Sequence, residues 1–291
     1  MKEAIDIFLP CDDLSMVEAT IRQLTGSPRM QSVVLLVGQD VQQACCPTMT
    51  VDGLRSTETL RKVALHSRAD YILFITKSTP LTLGEGVLER LTQAASSSGA
   101  AMVYADHYEV HADGKTERHP AIDYQLGSIR DDFDFGSLLL IRGSLLREWA
   151  QQPEIPSYKY AGLYDLRLFL SRKGELFHLN EYLYSEVELD TRASGEKQFD
   201  YVNPANRDVQ IEMEQVATAH LKAIGAWVDT SRRVDIDFDE QDFEVEASVI
   251  IPVYNRAKTI EDAVRSALSQ KTNFKFNVIK LRSEERRVGK E

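Results

Sequence analysis

The chain has 291 residues, of which 43% are hydrophobic, and its formal net charge is −11. This length suits one large or two medium globular domains with a sizeable core. The negative charge argues against general nucleic-acid binding, because phosphate neutralisation requires clustered lysine and arginine.

The three cysteines form neither a disulfide framework nor a metal-binding knuckle, so a reducing cytoplasm is the expected compartment. The longest apolar runs, such as 71–75 and 137–141, are too short to cross a bilayer. The first residues lead into a strand pattern and do not resemble a signal peptide. We therefore expect a cytoplasmic protein without a transmembrane segment. Peripheral contact with a membrane is compatible with this expectation.

The first part of the chain alternates strand and helix patterns. An apolar run closed by Pro10 is followed by a helical apolar pattern and by a second apolar run at 33–37. After a loop at 39–51, the sequence predicts a helix at 57–66, a strand at 71–75, a helix at 84–95 and a strand at 101–106. This alternation predicts an α/β domain built on a parallel sheet, with 71–75 as a central strand buried on both faces.

The segment after this last strand predicts a hairpin that turns at Asp113-Gly114. Strand alternation would place His107 and His111 on one face, and together with His119 near Asp106 they suggest a metal site. No second-shell pattern accompanies these histidines, so solvent-exposed turn residues are the favoured interpretation.

Residues 123–136 form the densest polar cluster of the chain. Arg130 lies beside Asp131, Asp132 and Asp134, and aromatic residues and glycines are interleaved with them. This composition suits the binding of a polyhydroxylated ligand, and it equally suits a loop whose charges pair internally. Both interpretations remain open at the level of sequence.

The remainder of this domain again alternates. The sequence predicts a strand at 137–142, helices at 143–152 and 164–172, a strand at 175–184, and a long helix from Asn203-Pro204. We expect the apolar face of that long helix to pack on the sheet. An acidic run at 231–246 follows and is interpreted as a solvated linker.

The run Ser248-Val249-Ile250-Ile251-Pro252-Val253-Tyr254-Asn255 predicts a buried strand that ends in a tight loop. A helical pattern at 257–268 and a second strand from Phe276 follow it. This strand, helix and strand repeat the plan of the first 37 residues, so we interpret the chain as two related domains.

The 248–255 run and the helix after it closely resemble the opening of the family 2 glycosyltransferases with the GT-A fold. In that family the first strand commonly ends in Pro-x-Tyr-Asn beside the nucleotide. The first domain resembles the family more distantly, through Arg61-Lys62, the 71–75 strand, Tyr104-Ala105-Asp106, and Tyr164-Asp165-Leu166 with the strand to Tyr184. The resemblance implies a GT-A (Rossmann-like) α/β fold with a mixed, mostly parallel sheet flanked by helices.

The resemblance divides the chain into four parts. Residues 1–230 correspond to a degenerate GT-A domain, 231–246 to the acidic linker, and 247–281 to the truncated start of a second GT-A domain. Residues 282–291 resemble a translated sequencing-adapter tail and are interpreted as non-native.

The implied function is transfer of a sugar from a nucleotide-diphosphate sugar to a glycan or lipid-linked acceptor in surface polysaccharide synthesis. Acceptor binding would involve Arg130, Asp131 and Asp132. The implied nucleotide-binding residues are Pro10, Cys11, Asp12, Arg61, Lys77, Pro252, Tyr254 and Asn255.

Two departures from the family's pattern fall on its catalytic positions. The metal position holds Thr76-Lys77-Ser78 and no carboxylate, so we expect no metal in the first domain, and Mg or Mn only for a complete second domain. Lys77 could supply positive charge in place of a metal, although a lysine that points to water is the favoured interpretation.

The proton acceptor is also missing where the family has an acidic pair, because Gly162-Leu163 stands there. The first domain alone is therefore expected to be inactive or weakly active. One alternative is a catalytically inactive GT-A-like domain that binds acceptor or partner. The remaining candidates for a catalytic carboxylate are Asp106, Asp131, Asp132, Asp134 and Asp165.

Overall fold

The computed structural model describes residues 3–39, 44–111, 113–187, 206–234, 244–254 and 256–282. The chain divides into two compact units, Met1–Val228 and Asp229–Glu291.

The first unit is a mixed α/β structure. Its helices are α1 (Leu14–Leu24), α2 (Thr57–His66), α3 (Val87–Ser98), α4 (Gly143–Ala150), α5 (Gly162–Lys173) and α6 (Arg207–Ala223). Its strands are β1 (Ile5–Pro10), β2 (Met30–Val37), β3 (Thr48–Thr50), β4 (Tyr71–Ile75), β5 (Leu81–Leu83), β6 (Met102–Val110), β7 (Thr116–His119), β8 (Leu138–Arg142) and β9 (Leu176–Val187).

The strands form one sheet in the order β3-β2-β1-β4-β8-β6-β9-β5, with β7 paired to β6. β1 is parallel to β2 and β4, and β6 is parallel to β9, while β8 runs antiparallel to β4 and β6. This arrangement confirms the predicted mixed, mostly parallel sheet. β4 is buried along its whole length as predicted, but only one of its two neighbours is parallel.

Helices cover both faces of the sheet and create two apolar layers. One layer contains Leu60 of α2, Trp149 of α4 and Leu166 of α5. The other contains Val17 of α1 and Leu91 of α3. Each layer receives alternate residues of the central strands, which explains why those strands read as continuous apolar runs.

Two predictions about the first unit need correction. The predicted loop at 39–51 contains the short strand β3, which pairs with β2. α6 packs mainly against α5 rather than on the sheet, and its buried Val216 belongs to the apolar layer that contains Leu60 and Trp149. The predicted start of this helix at Asn203-Pro204 lies outside the described residues.

The second unit contains the predicted strand, helix and strand. They are β10 (Ala247–Val253), α7 (Ile260–Leu268) and β11 (Phe276–Arg282), and the two strands are parallel with Ile250 opposite Ile279. Ile250 is 56% exposed, so this pair of strands leaves apolar surface uncovered within its own unit. Most of the proposed linker and residues 283–291 lie outside the described parts of the chain.

Gly162 begins α5 in close contact with the start of α2. A Cβ at this position would lie 2.3 Å from the backbone nitrogen of Thr57 and 2.6 Å from the carbonyl carbon of Ser56. Ser56 caps α2 by accepting a hydrogen bond from Thr59 N at 3.2 Å, so this backbone cannot shift without disturbing the helix end. Position 162 therefore has no room for a side chain.

We predict that Gly162→Ala lowers the free energy of unfolding by about 1–3 kcal/mol, because the added methyl collides with the backbone of α2. Alanine has the higher helix propensity, so a stabilised variant would contradict this packing. Gly38→Ala is the control, since a Cβ there would meet no heavy atom within 4 Å. Urea unfolding of both variants measures the difference.

Candidate functional site

A cavity of about 450 Å³ opens at the carboxyl end of β4. Thr76 and Lys77, which follow this strand, line one side, and residues 131–136, which lead into the antiparallel β8, line another. Leu163 and Arg167 contribute from α5. The polar cluster predicted at 123–136 is thus brought together with the end of β4.

A buried carboxylate, Glu186, connects the elements around the cavity. It is 2% exposed and accepts hydrogen bonds from Lys77 Nζ and Ser137 Oγ, while His107 Nε2 lies 3.4 Å from its Oε1. Burial raises the pKa of Glu186, but the bonds from His107, Lys77 and Ser137 outweigh burial and lower it to about 2. Glu186 is therefore an anion that holds the ends of four strands together.

Lys77 does not simply point to water as expected. Its ammonium group pairs with Glu186, and its side chain also lines the cavity. An ammonium group has three N–H donors, so donors beyond the one to Glu186 are available to a ligand. Glu186 could not be recognised from local sequence patterns, because it lies 109 residues from Lys77.

The three aspartates of the polar cluster all line the cavity but differ in their contacts. Arg130 donates to both oxygens of Asp132, at 2.9 and 2.7 Å, and this pairing lowers the pKa of that carboxyl. Asp134 lies 2.7 Å from His119 Nε2 and accepts from Gly136 N. Asp131 makes no hydrogen bond to any other described residue. The cluster is thus partly an internally paired loop, and Asp131 is its available carboxylate.

Arg167 is a buried cation in the cavity wall that sequence reasoning missed. It is 6% exposed, its Nη1 donates to the carbonyl of Arg130 at 2.7 Å, and its guanidinium lies 4.7 Å from the ring centre of Tyr164. Nε and Nη2 have no hydrogen-bond partner in the described parts of the chain. Burial lowers the pKa of Arg167, and its charge gives the apolar wall a positive potential.

No protein-family model matches the sequence, and no curated protein matches it. Solved structures do match. The structure of residues 1–349 of S. aureus TarS shares 9% identity and a TM-score of 0.51 over 75% of this chain, which spans 65% of that chain. TarS 1–349 in complex with UDP-GlcNAc matches at 10% identity and a TM-score of 0.51, over 79% of this chain and 74% of that chain.

A third match is mannosyl-3-phosphoglycerate synthase from Rubrobacter xylanophilus, at 10% identity and a TM-score of 0.50. It covers 79% of this chain and 77% of that chain. TarS and this synthase are both GT-A glycosyltransferases. The chain has the GT-A fold.

The family resemblance implies a divalent-metal site at residues 76–78, but the residues found there do not suit a divalent metal. The central residue is the cation Lys77, and Ser78 Oγ donates to Asp12 at 2.6 Å. A lysine at the centre repels a divalent ion, and hydroxyl groups beside it are poor replacements for carboxylates. No step that needs a metal is assigned to this position.

The position expected to hold the catalytic base of the GT-A fold also lies at the cavity, but it carries Leu163. Asp165, two residues further on, is half-buried and accepts a hydrogen bond from Trp149 Nε1 at 2.7 Å, and desolvation raises its pKa. Asp106 is buried and accepts from Ala121 N and His178 Nε2, both at 2.8 Å. Asp106 and Asp165 thus stabilise the fold and do not line the cavity.

The other predicted nucleotide-binding residues lie in several places. Pro10 and Cys11 are buried at the end of β1, and burial raises the pKa of the Cys11 thiol. Arg61 donates to the backbone carbonyls of Gln152 and Ile155, which secures the loop after α4.

The second unit carries the remaining nucleotide-binding predictions. Pro252 lies within β10, and Tyr254 follows that strand and is exposed. Asn255 lies outside the described residues. In the part of the chain that the structure describes, no helix is long and apolar enough to cross a membrane.

We predict that Glu186→Gln removes part of the acid sensitivity of folding. The folded-state pKa of about 2 lies below the ordinary value of 4.5, so the carboxylate stabilises the fold above pH 4.5 and loses this effect as the pH falls towards 2. This difference in pKa corresponds to a contribution of roughly 3 kcal/mol to the free energy of unfolding at neutral pH.

Urea unfolding of the wild-type chain and of the variant between pH 5 and 2.5 tests this. The wild type should lose more stability over that interval than the variant does. Parallel losses would show that Glu186 does not carry the charge assigned to it.

Proposed function

We propose that this protein acts in glycosyl transfer, moving a sugar from a nucleotide-diphosphate sugar to a glycan or lipid-linked acceptor in surface polysaccharide synthesis. The observation that carries the proposal is the cavity at the carboxyl end of β4 in a GT-A fold. Ligands of open α/β sheets bind outside the carboxyl ends of the strands. The TarS structures with UDP-GlcNAc and with UDP support a nucleotide-sugar ligand.

The charges in the cavity suit a diphosphate without a metal. Arg55, Lys77 and Arg167 contribute positive charge to a lining that also contains Asp131, Asp132 and Asp134. In the transfer reaction, negative charge develops on the diphosphate as the sugar leaves, and fixed cations stabilise it. Lys77 at the end of β4 is the residue we assign to this role.

Asp131 is the carboxylate best placed to accept the proton of the attacking hydroxyl. It lines the cavity and makes no hydrogen bond to another described residue, whereas Arg130 occupies both oxygens of Asp132. A general base needs an available carboxylate within hydrogen-bond reach of the acceptor. Arg130, paired as it is, would contact the acceptor only at the rim of the cavity.

We predict that UDP or GDP raises the melting temperature of the full chain and that Mn²⁺ does not increase this effect. Ligand at 100 times its dissociation constant stabilises a protein by about 2.7 kcal/mol. Lys77→Ala should reduce the shift, while Lys115→Ala, which changes an exposed lysine at the hairpin turn, should leave it unchanged.

Differential scanning fluorimetry with each nucleotide, with Mn²⁺ or with EDTA, provides the measurement. A shift that requires Mn²⁺ would contradict the assignment of Lys77. Equal shifts in the two lysine variants would contradict it as well.

A second candidate function is a non-catalytic binding module, in which the first unit holds acceptor or partner. Leu163 at the base position favours it, because a leucine cannot accept a proton. Transfer activity distinguishes the two functions. If the first unit catalyses transfer, Asp131→Asn should lower kcat by about 10²–10⁴-fold and leave UDP binding intact, with Asp132→Asn as the matched control.

A binding module would show no transfer activity in the wild-type chain, and Asp131→Asn would leave its UDP binding unchanged. That result, measured with radiolabelled nucleotide sugars, would remove the catalytic assignment from the first unit.

A further inference from the structure

Three side chains that can bind a metal meet on one face of the β6–β7 hairpin. His107 lies opposite His119 in the antiparallel register, and Glu109 follows two residues after His107, so it points to the same face. One ligand atom from each of the three residues lies within 4.8 Å of the others. The hairpin itself was predicted, but the favoured interpretation of His107, His111 and His119 as exposed turn residues is wrong for His107, which is buried.

Each of the two histidines has a carboxylate on its Nε2 atom. Glu186 Oε1 lies 3.4 Å from His107 Nε2, and Asp134 Oδ2 lies 2.7 Å from His119 Nε2. A carboxylate on one ring nitrogen fixes the tautomer and the ring orientation, which leaves the other nitrogen free to bind a metal. The sequence did not reveal these two carboxylates beside the histidines, because both come from outside the hairpin.

The Nδ1 atoms are left for a ligand. His107 is buried, and its Nδ1 has no hydrogen-bond partner in the described ranges. His119 Nδ1 lies 3.3 Å from Glu109 Oε1. In a tetrahedral zinc site with metal–ligand bonds of about 2.0–2.1 Å, two ligand atoms are roughly 3.3 Å apart. The separation of His119 Nδ1 and Glu109 Oε1 therefore fits two ligands of one zinc ion.

The donor set and its exposure indicate which ion would fit. Two imidazoles and one carboxylate, with a water molecule in the fourth position, form a common zinc coordination. Magnesium and manganese prefer sites made of oxygen alone. His119 and Glu109 are partly exposed, so an ion can enter from solvent, while His107 forms the buried side of the site.

We propose that His107, Glu109 and His119 form a zinc site whose ligands are oriented by Glu186 and Asp134. The site lies at the edge of the cavity, because Asp134 lines the cavity and also contacts His119. Zinc binding here does not depend on nucleotide binding, so it goes beyond the function proposed above and can succeed or fail separately.

The test uses the full chain and Co²⁺ as a spectroscopic replacement for zinc. We expect one Co²⁺ per chain with visible absorption typical of tetrahedral coordination, no thiolate-to-cobalt charge-transfer band, and displacement by one equivalent of Zn²⁺. Zinc affinity is then measured by competition with a chromophoric chelator.

Two variants remove a ligand each. Glu109→Gln and His119→Asn should each lower zinc affinity at least tenfold, with melting temperatures that show the fold is retained. The matched control is His111→Asn, which changes the other histidine on this face of the hairpin and should keep wild-type affinity.

Three results would overturn the proposal. The first is absence of the cobalt spectrum in the wild-type chain. The second is a thiolate band, which would assign the ion to Cys45 and Cys46. The third is a loss of affinity in His111→Asn equal to that in the ligand variants.

Discussion

The cavity depends on one buried interaction, the anchoring of Glu186. This carboxylate lies on β9 and receives Lys77 from the end of β4, Ser137 from the start of β8 and His107 from β6. A buried anion is stable only when it is paired and hydrogen-bonded, so the four strand ends must meet at this point. The lysine that replaces the expected metal carboxylates is therefore held in place at the cavity by the same interaction that orders the edge of the sheet.

Packing restricts which residues can occupy the expected catalytic positions. At position 162 the start of α5 approaches the backbone of α2 so closely that no Cβ fits, and an acidic residue there would separate the two helices. At position 163 a leucine lines the cavity, and at position 77 a cation occupies the centre of the expected metal site. A single substitution at position 162 cannot supply the expected catalytic carboxylate. The cavity itself is retained, and Lys77 and Arg167 contribute positive charge to it. The first unit thus keeps a cavity at the end of β4 but lacks carboxylates at residues 76–78, where the metal-dependent mechanism requires them.

Local patterns predicted most of the fold, and long-range contacts account for what was missed. The buried run of β4 and the hairpin turn at Asp113-Gly114 each have a local signal in periodicity or turn chemistry. β3 has only three residues and no apolar run, so it was missed.

At the site, the sequence left open whether the polar cluster around Asp131 binds a ligand or pairs internally; the cluster lines the cavity, and Arg130 pairs with Asp132 within it. Glu186 and Arg167 were missed because neither stands out from the pattern around it. Glu186 lies in a strand pattern and Arg167 in a helical pattern, and the partners of both are distant in sequence. Asp106 and Asp165 could not be separated from Asp131 before their burial and their partners, His178 and Trp149, were known.

We propose that the cavity of the first unit binds a nucleotide diphosphate through Lys77 and without a metal. A crystal structure of the full chain grown with UDP and Mn²⁺ is the decisive measurement. We predict UDP in the cavity at the end of β4, with a diphosphate oxygen within hydrogen-bond distance of Lys77 Nζ and no metal ion at residues 76–78. UDP held through Mn²⁺ at that position, or bound away from this cavity, would contradict the account.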